Sequence, residues 1–98
     1  MICTVLFEDD ENFSDKRAEH MSDHLSFLEN NADSILSAGP LNHVEDGTPA
    51  GGLWLVEALS AKDVQSLIEA DPFWPTGLRK SVSVCEWNQV FANGERKI

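Results

Sequence analysis

Positive charge is scarce in this sequence. Seven Lys and Arg stand against 17 Asp and Glu, a formal net charge of −10 over 98 residues. Such a surface repels the phosphates of nucleic acid and of anionic lipid, so neither is expected as a partner. It serves solubility, and it does not exclude a small anion held in a locally positive pocket. Long apolar runs are missing too. Nothing approaches the roughly 18 consecutive apolar residues of a membrane-spanning helix. The start, Met1-Ile2-Cys3-Thr4, has neither the basic flank nor the apolar stretch of a signal peptide, so the expected location is the cytoplasm.

Cysteine is nearly absent. Cys3 and Cys85 sit in apolar, strand-like stretches, their spacing matches no zinc or redox motif, and both are expected as buried free thiols. No glycine-rich phosphate loop is present, because Gly47, Gly51 and Gly52 do not precede a helix. Ser22, Ser26 and Ser37 lack the neighbours that mark an activated nucleophile. Internal repeats and low-complexity blocks are missing as well.

What is there suffices for a core. Apolar residues make up 42% of the chain, and the length suits one domain over residues 1–98, with Ala92 to Ile98 as a polar tail. A chain this short buries only about two-thirds of its unfolded surface, so a second copy would add stability. Ile2 to Glu8 reads as a β-branched first strand. Phe13, Arg17, Met21, His24 and Leu28 recur at helical spacing, which predicts a helix over Phe13 to Asn31. Ser34 to Ala38 reads as a second strand ended by Gly39-Pro40. Asn42 to Gly52 reads as a long connection and Leu53 to Leu59 as a third strand. Ser60-Ala61-Lys62-Asp63 resembles a capping box, and the helix it opens must stop near Asp71, because Pro72 disfavours helical geometry before it. Trp74-Pro75-Thr76-Gly77 reads as a turn and Ser81 to Phe91 as a fourth strand.

The order βαββαβ predicts an α+β, ferredoxin-like fold: a four-stranded antiparallel sheet with two helices on one face. The strands are apolar on both sides. Cys3, Val5 and Phe7 alternate with Ile2 and Leu6, and Trp54 and Val56 alternate with Leu53 and Leu55. Helices cover one face only, so a second copy packed sheet to sheet is the expected cover, and a homodimer is predicted.

Three ionisable residues interrupt the apolar stripes. At 100° per residue Arg17 and His24 lie about 20° apart, in the stripe of Phe13, Met21 and Leu28. Asp71 follows Val64 by seven residues and leaves the second helix on its sheet-facing side. Burying such groups is costly unless they are paired or wet. A carboxylate beside an imidazole fixes its tautomer and strengthens it as a base, which makes His24 and Asp71 the candidate catalytic pair. Arg17 is the candidate for holding an oxyanion or a carboxylate, and Phe73 with Trp74 for walling the pocket. A plain structural alternative is an Arg17–Asp71 clasp with His24 as a satisfied core residue, and periodicity leaves both readings open. His20 and His24, with Asp23 between, lack a third ligand, so no metal is expected. His43 in the long connection reads as solvated. No cofactor is required by these residues.

Three segments together resemble one family. Arg17-Ala18-Glu19-His20-Met21-Ser22-Asp23-His24-Leu25-Ser26-Phe27-Leu28 is similar to the first helix of the YCII-related (YciI-like) proteins. Ser37-Ala38-Gly39-Pro40-Leu41 resembles their second-strand ending, and Ala70-Asp71-Pro72-Phe73 their motif after the second helix. The resemblance implies a dimeric α/β-barrel of two ferredoxin-like subunits. It also implies an active site with a histidine and an aspartate, which map by motif onto His24 and Asp71, and an arginine that maps onto Arg17. One class in that family eliminates chloride from a chlorinated hydroquinone, and the wider superfamily includes lactone isomerases and monooxygenases. The function expected is therefore acid–base chemistry on a small organic ligand, cyclic or aromatic; the alternative is a non-catalytic module that binds a small molecule or dimerises.

Overall fold

A computed structural model describes all 98 residues. Four strands form one antiparallel sheet: β1 (Ile2–Asp9), β2 (Ile35–Asn42), β3 (Pro49–Glu57) and β4 (Arg79–Glu86), in the spatial order β2-β3-β1-β4. Helices α1 (Asp15–Glu19), α2 (Met21–Asn30) and α3 (Ala61–Ala70) complete the βαββαβ order, and a small hairpin, β5 (Phe91–Ala92) with β6 (Glu95–Arg96), follows. The fold is α+β and ferredoxin-like, as expected.

Register explains which residues form the core. Val5 stands opposite Trp54 on one neighbour and Val84 on the other, and Cys3 opposite Val56, so these side chains share a face. Val64 and Ile68 of α3 close over Cys3, Val5, Phe7, Trp54 and Val56, with Phe27 and Leu28 of α2 beside them. The ring of Phe7 meets Trp54 edge-on at 5.0 Å. The opposite face carries Ile2, Thr4 and Leu6 of β1 against Leu53 and Leu55 of β3. No element of the chain covers Leu6, which is 43% exposed.

Local chemistry sets the element ends. Ser60 caps α3 by accepting the Asp63 N–H at 3.2 Å, and Asp71 is already extended (φ −65°, ψ 131°) ahead of Pro72. Asn31 ends α2, its side-chain amide donating to the Phe27 carbonyl at 2.8 Å. Gly77, at φ 85°, closes the turn before β4 against the Phe13 ring.

Several expectations need correction. The first helix is two helices, because the chain leaves helical geometry at His20 (φ −109°, ψ 10°). Phe13 precedes both, in a 3₁₀ turn over Glu11–Phe13 that Asp10 caps through the Asn12 N–H. Strands β2 and β3 run further toward each other than composition suggests, since register shifts near Pro40 and Asn42 absorb the proline within the ladder. The connection shrinks to a turn around Val44–Gly47. The fourth strand starts earlier and stops at Glu86, and the tail folds back as a hairpin with Gly94 at positive φ. Cys3 is buried but Cys85 is exposed: Cys85 pairs with Thr4, one register step from Cys3, so the two thiols lie on opposite faces.

Candidate active site

The sequence Asp71-Pro72-Phe73 positions a carboxylate by itself. Pro72 forces Asp71 out of the helix, and Asp71 Oδ1 then accepts the Phe73 N–H at 3.1 Å, an Asx turn that fixes the side chain. The same oxygen lies 2.8 Å from His24 Nδ1 on α2. Both residues are buried, His24 at 7% and Asp71 at 2% exposure. An ionised carboxylate only accepts hydrogen bonds, so Nδ1 is the donor of this one. Arg79 Nε is the only side-chain nitrogen or oxygen both sealed from solvent and without a partner; Nε2 of His24, which has no partner, is therefore reachable.

His24 opens on a cavity of about 100 Å³ between α1, α2 and the strands β2 and β3. Arg17, Met21, Leu25, Pro40, Trp54 and Arg79 are among its walls. Arg17 and His24, predicted to share a stripe, both reach it despite the break at His20. The Arg17 guanidinium does not clasp Asp71. Its Nη2 pairs with Asp9 Oδ2, while Asp9 Oδ1 accepts Arg79 Nη1 at 2.8 Å. Two arginines that share the Asp9 carboxylate thus line the cavity of a chain that is strongly acidic as a whole. Burial lowers the affinity of Arg79 for its proton, and the Asp9 carboxylate opposes that shift.

Phe73 and Trp74 do not wall this cavity. Phe73 is fully buried behind His24, the two rings stacked at 4.1 Å with planes 16° apart. Trp74 packs against the hydrophobic core. His20 does not share a site with His24; its Nε2 lies 3.7 Å from Glu19. Asp9 and Arg79 are the residues that sequence reading missed. The available signal was a charged residue opening one strand, Arg79, and another closing one, Asp9, positions that ordinarily mean only a solvated end. A wider hollow of about 530 Å³, lined by Met1, Asp33, Glu57 and Asp63, lies elsewhere and carries neither a histidine nor an arginine.

The fold and this pocket define a ferredoxin-like α+β protein with a buried His–Asp hydrogen bond beside an arginine-lined cavity. The chain belongs to the YCII-related domain family, whose model matches residues 1–88. It is similar to 5-chloro-2-hydroxyhydroquinone dehydrochlorinase (TftG) from Burkholderia phenoliruptrix AC1100, solved in complex with 2,5-dihydroxybenzoquinone. The two are 28% identical with a TM-score of 0.79 over 90% of this chain and 94% of that one. A more distant likeness is to At3g17210 from Arabidopsis thaliana, 14% identical with a TM-score of 0.47 over 94% of this chain and 97% of that one. No curated protein sequence matches significantly. No helix is long and apolar enough to cross a membrane.

Proposed function

We propose that this protein performs acid–base chemistry on a small hydroxylated ring compound, with His24 Nε2 as the proton-moving atom. One observation carries the reading: Nδ1 of His24 is held at 2.8 Å by a buried carboxylate, in a histidine that lines the cavity. Asp71 orients the ring and stabilises the imidazolium that forms when Nε2 takes a proton. Arg17, which also lines the cavity, is the cation this reading offers to an oxyanion of the compound. His24 removes a proton from a hydroxyl or an activated C–H. The electron pair then either moves within the ring or expels a leaving group, and the proton is returned or released. Neither course adds or removes electrons overall, so the reading includes no cofactor. The likeness to a dehydrochlorinase of a chlorinated hydroxyhydroquinone supports a ring compound as the substrate class.

The test is turnover of 5-chloro-2-hydroxyhydroquinone, followed as chloride release, in wild type, His24→Gln and Asp71→Asn, with ¹⁵N NMR of the His24 ring. Expected are turnover in wild type, loss of about a hundredfold or more in His24→Gln, and an Nδ1–H tautomer that becomes mixed in Asp71→Asn. Binding without turnover would assign the pocket to recognition alone, and an Nε2–H tautomer in wild type would sink the dyad.

The same reading includes a homodimer through the outer sheet face. Ile2, Leu6, Leu53 and Leu55 form an apolar patch that only a flat, apolar partner surface would match, and a second copy offers one. Leu6→Lys should lower the solution mass while leaving circular dichroism unchanged. A wild type that runs as a monomer at micromolar concentration rejects the dimer.

A further inference from the structure

The cavity beside His24, at about 100 Å³, is too small for the ring compound that the acid–base reading assigns to it. Holding a single benzene ring takes a cavity of about 150 Å³. A groove of about 950 Å³ adjoins it where the sheet splits at one end. Pairing between β1 and β3 stops at Phe7 and Gly52. Beyond that point β1 runs on beside β4 to Asp9, and Pro49 of β3 pairs with β2. One residue, Arg17, lines both spaces. Asp9 lines the groove while its two partners, Arg17 and Arg79, line the cavity, so this ion group stands between the two. Its members differ in freedom. The Arg79 side chain is 4% exposed and its guanidinium lies 4.1 Å from the Phe7 ring centroid. Arg17 is 26% exposed on the five-residue helix α1. Arg17 can leave without stranding its partner, because Asp9 keeps Arg79 Nη1 at 2.8 Å. Moving it gives up one partly exposed ion pair and a 5.5 Å contact with the Phe73 ring, both weak restraints.

We propose that the His24 cavity and this groove are two halves of one ligand site, divided by the Arg17 side chain. The ligand is a ring compound with an uncharged, hydroxyl-rich extension. Its ring enters beside His24 when Arg17 turns away from Asp9, and its extension lies in the groove. The groove's own chemistry selects that extension. Glu8, Asp9, Asp10 and Glu11 line it against two cations, Arg17 and Lys80, and Glu8 already holds Lys80 at 3.5 Å. Acceptors are in surplus there, so hydroxyl donors are received and an anionic extension is repelled. The inference deepens the acid–base reading and rests on it for the ring half. The groove half rests on the split sheet and the shared Arg17.

The test has two arms. In the first, diethyl pyrocarbonate modifies His24 in wild type and Arg17→Ala, read by peptide mass spectrometry with the exposed His43 as internal reference. Arg17→Ala should speed modification of His24 about fivefold and leave His43 unchanged. Loss of a nearby cation by itself favours the protonated, unreactive imidazole, so only a wider opening gives that rise. In the second arm, 4-hydroxyphenyl β-D-glucopyranoside and phenol are titrated into wild type and Ala50→Trp, which adds an indole to the groove lining. Wild type should bind the glucoside more tightly than phenol. Ala50→Trp should weaken the glucoside about tenfold and change phenol by less than about twofold. Either arm decides if the variant of the other fails to fold. Unchanged His24 modification in Arg17→Ala, or glucoside affinity that Ala50→Trp leaves intact, would overturn the divided site. Phenol bound more tightly than the glucoside, or no glucoside binding at millimolar concentration, would overturn it too. Glucoside binding as expected alongside an Nε2–H tautomer at His24 would reject only the dyad.

Discussion

The imidazole of His24 lies flat on the ring of Phe73, 4.1 Å between centroids, while the backbone N–H of Phe73 and Nδ1 of His24 both reach one oxygen of Asp71. Phe73 thus sets the tilt of the histidine ring and anchors the carboxylate that holds it. Orientation here is a matter of packing as much as of hydrogen bonding. Phe73→Leu keeps the backbone donor but removes the stacking surface. Expected are a loss of roughly 1–3 kcal/mol in denaturant unfolding and broadened His24 ring signals.

Asp9 ties the ends of two strands to α1 through Arg79 and Arg17. Asp9→Asn leaves Arg79 buried with its main partner neutralised. Breaking a buried pair from one side costs several kcal/mol, and a loss of about 3 kcal/mol is expected. Arg79→Met combined with Asp9→Asn should recover part of it, which a double-mutant cycle in urea measures.

Gly51 sits at φ 90° with the Phe7 carbonyl oxygen only 1.9 Å from where a Cβ would fall. Gly51→Ala should therefore destabilise by at least about 3 kcal/mol, since both backbone and neighbour resist it. Gly39, with nothing within 4 Å of its Cβ position, is the control. Gly39→Ala should be neutral or stabilise by about 0.5 kcal/mol, read from the same unfolding curves.

The turn joining β2 to β3 predicts a pH effect. The Thr48 hydroxyl, and then the Thr48 N–H, hold the Asp46 carboxyl below its ordinary 3.8. A lowered folded value means that this stabilisation is fully present above the unfolded value and is lost as pH falls through the folded one, below about 3.8. Thr48→Ala should return Asp46 toward 3.8, followed by carboxyl ¹³C titration. At neutral pH the fully exposed turn should show little change in global stability.

Much of this was legible along the chain because the forces concerned are local. Pro72 ends α3 by its own ring, Ser60 caps by its own hydroxyl, and strand alternation marks both sheet faces from Ile2 to Phe7. Arg17, His24 and Asp71 stood out because each interrupts an apolar period. The hairpin at Phe91–Arg96 was not legible, since a two-residue pairing carries no hydrophobic pattern. Phe73 as a backstop rather than a pocket wall was hidden too. Nothing along the chain says which side of an aromatic ring will face a cavity.

The sequence by itself determined the element order, the family pattern and the odd placement of three ionisable groups on buried stripes, because periodicity and backbone stereochemistry act over a few residues. Only the tertiary structure decided that Arg17 turns to Asp9 instead of Asp71, and that Arg79 joins the lining of the same cavity. Those pairings join residues up to 70 positions apart. Charges at that separation choose partners only after the sheet has fixed where each strand ends.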